Sequence, residues 1–288
     1  MRRGEICGAL FCVMILATGA ALAQGGQTQP AATQSQPAAV PAPAKTFDPS
    51  KSDEKAIAIV DQVSNALGGD AWAKARFLKF TWVWKQGEKR VAITHYWDRF
   101  GQRSRMEGPT RDGKQVVAVV DHRTKQGLAM LDGQPQSGDD QTKYVKLAND
   151  RLINDAYWFF MQFKLKDPGV RLRYEGDLKA GPVTYDKVLV SFDDGVGLTS
   201  KDKYWIYVNR DTHKIERWSY VLEGSAANVS PVAWEWTDWV DVGGMKIASR
   251  KMQPGGESEI SVENCQVIDS MPEEVFTTVT PVPPVTGS

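Results

Sequence analysis

The sequence predicts an α+β chain built on one large antiparallel sheet, curled into a barrel or half-barrel, with a helix at its start and an apolar helix inserted midway. Three observations predict it. From Leu78 to Ile268, runs of alternating apolar and polar residues are separated by Gly, Asp-Gly or Pro signals. The connections between runs are short, which makes neighbouring strands antiparallel. Ten tryptophans, many sharing one face of their strands, give the sheet an apolar side that must be covered.

The chain opens with the parts of an export signal: Arg2 and Arg3, an apolar run from Ile6 to Leu22, and Ala21-Leu22-Ala23 as the cleavage motif. Glu5 is an unusual acidic neighbour in that pattern. Cleavage before Gln24 makes residues 1–23 a signal peptide and leaves no stable membrane anchor. Cys12 follows Ala9-Leu10-Phe11, which is not a lipidation motif. The expected location is the periplasm. Residues 24–50 form a Pro/Gln/Ala-rich leader that cannot bury enough apolar surface to order itself. Residues 51–278 are expected to fold as one domain, followed by a flexible Pro- and Val-rich tail, 279–288.

Within the domain, Ala56, Ile59, Val60, Val63, Ala66 and Leu67 recur at helical spacing, with Ser50 or Ser52 as candidate cap and Gly68-Gly69 as stop. The period then changes to two. Leu78, Phe80, Trp82 and Trp84 share one strand face, and Val91, Ile93, His95 and Trp97 continue the pattern across Gln86-Gly87. Further strands are expected at about 102–107, 115–121 and 126–131. From about Thr142 to Leu165 the alternation stops and no Gly or Pro occurs, which favours helix. Strands resume at about 170–177, 183–192, 203–209, 215–223, 233–242, 245–253 and 258–268, giving eleven or twelve in all.

Composition narrows the function. Without residues 1–23 the chain keeps 33 basic and 34 acidic residues, so nothing points to nucleic acid. Cys265 is the one cysteine outside the signal, and it reads as a small core residue. His95, His122 and His213 are scattered without ligand spacing, so no metal site is expected. There is no Gly-x-Ser-x-Gly elbow, phosphate loop or other catalytic motif, and neither a cofactor nor an enzymatic activity is expected.

Several motifs occur in an order that resembles a known family: Ala66-Leu67-Gly68-Gly69 before Trp72, Tyr157-Trp158 leading into Phe163-Lys164-Leu165-Lys166-Asp167-Pro168-Gly169-Val170, Gly195-Val196-Gly197 before Asp202-Lys203-Tyr204, Trp218-Ser219-Tyr220, and Trp236-Thr237-Asp238-Trp239. With the signal peptide and the helical insertion, the chain is similar to the LolA/LolB-like periplasmic lipoprotein-carrier superfamily, nearest an uncharacterised outer-membrane-lipoprotein-sorting-like branch. The resemblance covers most of 52–278. It implies a strongly curved half-barrel of about eleven strands whose concave apolar side is lidded by helices and accepts acyl chains. The lipoprotein carrier proper is smaller and lacks the Pro/Gln-rich leader.

The inserted segment Tyr157-Trp158-Phe159-Phe160-Met161 is apolar around its whole circumference, as for a helix between two apolar partners. Trp82, Trp84, Trp158, Phe160, Met161, Phe163, Trp218 and Trp236 are therefore the candidate ligand-contacting residues, and lipid or lipoprotein acyl chains the candidate ligand. An envelope protein is the further candidate partner. Asp155 and Asn154 sit at the polar edge of the helix, facing either a headgroup or water. Arg103 and Arg105 share a strand face that either meets an acidic headgroup or is solvated. Two alternatives stay open: an enzyme using His95 and Asp155 in the same cavity, and an envelope sensor or scaffold whose core is filled.

Overall fold

The computed structural model describes residues 46–226, 228–285 and 287. The signal peptide and residues 24–45 of the leader lie outside the described residues. Thirteen strands form one antiparallel sheet. The first six are β1 (Phe77–Gln86), β2 (Lys89–Asp98), β3 (Arg103–Pro109), β4 (Gln115–Asp121), β5 (Gln126–Leu131) and β6 (Gln134–Pro135). The others are β7 (Val170–Ala180), β8 (Val183–Phe192), β9 (Lys203–Asn209), β10 (Ile215–Val221), β11 (Val232–Val242), β12 (Met245–Met252) and β13 (Glu259–Ile268). The expected strands are all present. The extra one, β6, is a two-residue edge strand at Gln134-Pro135, too short to leave an alternation signal.

The order β6-β5-β4-β3-β2-β1-β13-β12-β11-β10-β9-β8-β7 explains the lid. β1 pairs on one side with β2 and on the other with β13, so the first and last strands are neighbours at the middle. The first half of the chain works outward to the β6 edge, the second works inward from the β7 edge, and the sheet stays open between β6 and β7. The connection between those edges must cross a face of the sheet. Helix α3 (Gly138–Phe160), continued by a 3₁₀ turn at Met161–Phe163, makes that crossing on the concave side. It starts four residues before the expected point, because Gly138-Asp139-Asp140 reads as a turn in sequence.

The N-terminal half of α3 is fixed by Tyr144, Val145 and Ala148, which pack with Val116, Ala118, Val120, Ala129 and Met106 of β3–β5. Gln141 adds a bond to the Gly127 carbonyl. At the other edge, the segment before α1 (Glu54–Leu67) covers β7. The Asp53 N–H donates to the Leu172 carbonyl, Ser52 Oγ accepts from Leu172 N–H, and Asp53 Oδ2 accepts from Tyr174 N–H. The cap expected of Ser50 or Ser52 is therefore not made. Asp53 stands at the N-cap position and spends its carboxylate on the sheet edge, where an unpaired strand invites aggregation.

Gly68 ends α1 in the left-handed conformation, with φ 91°. A Cβ there would stand 2.0 Å from the Gly244 carbonyl oxygen in the β11–β12 turn. Gly68→Ala meets both the conformational penalty and the backbone clash, and is expected to cost about 2–3 kcal/mol. Urea denaturation with an unchanged m-value checks it; a loss under half a kcal/mol contradicts the close approach.

The end of the chain departs from expectation. Residues after Thr278, anticipated as loose, run over the convex face of the sheet. Val275, Phe276, Val282 and Val285 pack with Phe77, Tyr96 and Ile268. Arg105 donates to the carbonyls of Thr278 and Thr280, and Lys79 to that of Val285. Arg103 pairs with Asp98 and with Glu273 beside α4 (Glu274–Thr277). Neither arginine is free for a headgroup: the acidic and carbonyl oxygens that hold them belong to the protein's own convex side.

Candidate ligand-binding site

The even-numbered face of β1 points inward, as its alternation requires. Phe80 lies edge-on to Phe160 at 5.3 Å between ring centroids, and the Arg151 guanidinium sits 4.4 Å over the Trp82 ring. The C-terminal half of α3 is thus a plug of rings seated in the sheet. Its side chains sort the candidate residues into separate groups rather than one lining.

On the flank of β8–β11, Trp158 meets Trp218 at 4.7 Å and Trp234 at 5.0 Å, and Tyr157 meets Tyr204 at 5.7 Å. Tyr204 stacks on Trp218, and Trp218 touches Trp236. On the opposite flank, Phe160 and Phe163 both stack on Trp72 of α2 (Gly69–Lys74), at 5.4 and 5.1 Å. Arg99 also lies over Trp72, with its guanidinium carbon 3.4 Å from the ring centroid. Met161 is fully buried. Trp84 stands at the far end of β1, where its indole N–H donates to Ser258. Sequence reasoning missed Trp72, Tyr157 and Tyr204 as members of these clusters.

Buried polar groups are threaded among the rings. His95 and Asp155 are both fully buried, with His95 Nε2 2.8 Å from Asp155 Oδ2. Arg151 Nη2 lies 2.8 Å from the other carboxylate oxygen, and Asn154 donates to the same atom. Asp155 is therefore inside the fold and not at its polar edge. It lies three residues after Leu152 and four before Phe159, both buried, so helical spacing carries it inward. His95 is a hydrogen-bonded histidine on the inner face of β2.

Other polar groups have no protein partner. Among the described residues, the indole N–H groups of Trp82, Trp218 and Trp236 and the Tyr157 hydroxyl are buried without an acceptor. An unmet buried donor costs about 1–3 kcal/mol, so native interiors rarely keep several together.

Lys251 is the most unusual. It is fully buried, its Nζ 4.5 Å from the Phe159 ring centroid and 4.3 Å from that of Trp236, and it donates to the Ala248 carbonyl. Burial pulls its pKa well below the ordinary lysine value, weakly opposed by Cys265, the other titratable group beside it. The Cys265 thiol is itself pushed up to about 12 by burial. Sequence carried a signal for Lys251: it shares strand parity with Met245 and Ile247, both fully buried.

A folded-state pKa below the unfolded value means that the unfolded chain holds an extra proton between the two. Stability then rises with pH across that window, up to the ordinary lysine value of about 10.4. Lys251→Met is expected to remove this rise and to stabilise the protein at neutral pH by about 1–3 kcal/mol. Denaturation of both proteins from pH 6 to 10 checks it, and parallel profiles contradict it.

The surface carries two hollows. One of about 320 Å³ is lined by Tyr185, Lys214, Glu216 and Trp239 among others, where β11 presents Glu235 and Thr237. The second, about 250 Å³, lies between β4–β5 and Phe276. Among the described residues, no three His, Cys, Asp or Glu side chains come together as a metal requires.

No family model and no curated protein matches the chain. Solved structures do. The chain is similar to the LolA superfamily protein NE2245 from Nitrosomonas europaea, with TM-score 0.47 and 8% identity over 77% of this chain and 97% of that one. It is also similar to a Vibrio parahaemolyticus domain assigned to outer membrane lipoprotein sorting, with TM-score 0.43 and 9% identity over 77% and 96%. A third similar structure is MucB, with TM-score 0.29 and 12% identity over 79% and 64%.

Proposed function

We propose that this protein is a non-enzymatic periplasmic carrier that holds a lipid or other acyl-chain-bearing ligand between α3 and the concave face of the sheet. The observation that carries the reading is the set of buried donors without acceptors, from Trp82, Trp218, Trp236 and Tyr157, on the rings around the α3 plug. A sheet and helix meant to stay together would be expected to pair or replace such groups. An amphiphile with an apolar chain and a few polar oxygens suits both the rings and the donors.

The fold supplies a means of access. α3 is fixed at its N-terminal half by a buried apolar cluster, and entry of a ligand requires its aromatic half to move away from the sheet. Burying an acyl chain yields roughly 0.8 kcal/mol per methylene, so a chain of about sixteen carbons offers roughly 10 kcal/mol against the cost of opening. The candidate contacts are Trp82, Trp158, Phe160, Met161, Phe163, Trp218 and Trp236, with Trp84 at the rim. The export signal read in residues 1–23 agrees with a ligand of the envelope, and an envelope protein that delivers or receives it is the partner this role requires.

Native mass spectrometry of protein purified from its own host tests the proposal. The expected spectrum contains a lipid adduct that dissociates on activation. Protein free of lipid, in repeated preparations without detergent, contradicts the reading. It then favours the filled-core scaffold, which the continuous ring-to-ring contacts from Tyr157 to Trp239 also suit.

A further inference from the structure

Among the described residues, the other deeply buried charges are met by partners of opposite charge or by several hydrogen-bond partners. Asp155 has His95, Arg151 and Asn154. Asp98 has Arg76, Arg103 and the Gly101 N–H. Arg105 has Glu107 and two carbonyls of the C-terminal segment. Lys251 is different. It is as buried as these, yet one carbonyl accepts one of the three hydrogens of its ammonium, and its other neighbours are the faces of Phe159 and Trp236. Among the described residues no carboxylate pairs with it.

From this geometry we infer that the interior site is built for a carboxylate, so that a free fatty acid enters head first and pairs with Lys251 between Phe159 and Trp236. The inference rests on the reading that the interior takes an acyl chain, and it names the ligand class. A fatty acid brings one negative charge, which one lysine balances. The acid and the amine share a single proton on binding, and the pair they form is neutral overall, whereas a lone ammonium in the same place bears the whole cost of burial. An esterified chain, such as the acyl chains of a lipoprotein, brings no charge and leaves Lys251 unmet. A phosphate-headed lipid needs more than one cation at close range, and no second cation lies over the Phe159 or Trp236 ring among the described residues.

The Trp236 ring covers the lysine from one side, and its indole N–H, buried without an acceptor, belongs to the same wall. The aromatic half of α3, which carries Phe159, closes the site from the other side.

The test compares oleate with methyl oleate, which differ at the head and share the chain. The protein, stripped of lipid, is titrated with each while its tryptophan emission is followed, and Lys251→Met is treated identically. Wild type is expected to bind oleate at least about tenfold tighter than the ester, a difference matching one charge-assisted bond. Lys251→Met is expected to lose that preference by weakening oleate and leaving the ester unchanged. Lys251→Gln, which keeps a donor, provides a second variant should the methionine protein not fold. Equal affinities in wild type, or a preference that survives in both variants, overturn the carboxylate site while leaving acyl-chain binding intact. Binding of neither compound to folded wild type overturns the acyl-chain reading itself.

Discussion

Asp155→Ala is expected to destabilise the protein by about 3–5 kcal/mol, because it leaves His95 and Arg151 facing one another in the interior with nothing to accept from them. The carboxylate is fully buried and joins α3 to β2, so its loss also loosens the lid from the sheet. Asp155→Asn keeps the shape and one acceptor and is expected to cost less, about 1–3 kcal/mol. Replacing His95 and Asp155 together, with Leu and Ala, is expected to recover part of the single-variant loss. Urea denaturation of wild type, Asp155→Ala, His95→Leu and the double variant provides the cycle. If Asp155→Ala unfolds at the wild-type midpoint, the buried network does not hold the lid.

Phe160→Ala is expected to cost a similar 3–5 kcal/mol, since the ring is fully buried among Trp72, Phe80 and Trp97 and cannot be replaced by a shift of one neighbour. Its second consequence is functional. Phe160 seats the plug on the β1–β2 flank, so its truncation favours the open lid and should speed the uptake of an acyl probe. Stopped-flow mixing with a fluorescent fatty acid, at a temperature where the variant is folded, reads that rate. A slower uptake than wild type contradicts the lid role, even if stability falls as expected.

These two residues also show what the sequence makes legible. Phe160 belongs to an apolar run whose length and composition announce a buried helix, and the structure places it in the interior. Asp155 lies one step of helical spacing before the buried Phe159, but a carboxylate reads as solvent-facing unless its partner is known. That partner, His95, is 60 residues earlier on another element. Lys251 was hidden by the same preference for water, although its parity with Met245 and Ile247 placed it inside. Alternation and turn signals located the strands well, because burial of one face imposes period two on every strand. β6 escaped, since two residues cannot show a period. Ser52 and Asp53 resemble helix caps in sequence and serve the edge of β7 instead, a pairing that depends on residues 120 positions away. The order of strands was not legible, and with it the reason that α3 must cross the concave face.

The C-terminal segment follows the same logic. Its prolines and valines suit a loose tail in isolation. On the convex face, Phe77, Tyr96 and Ile268 present an apolar surface, and Arg105 and Lys79 present donors that need carbonyls. Only the folded sheet creates that demand.

The measurement that most directly tests the central claim is titration of the lipid-free protein with cis-parinaric acid, read as energy transfer from its tryptophans. Trp158 of the α3 plug packs against Trp218 and Trp234, with Trp236 beside them, so a chain seated there lies beside several donors at once. The account predicts saturable transfer at one probe per protein, reversed by oleate. A folded protein that shows no saturable transfer contradicts it, and leaves the half-barrel as a closed aromatic core.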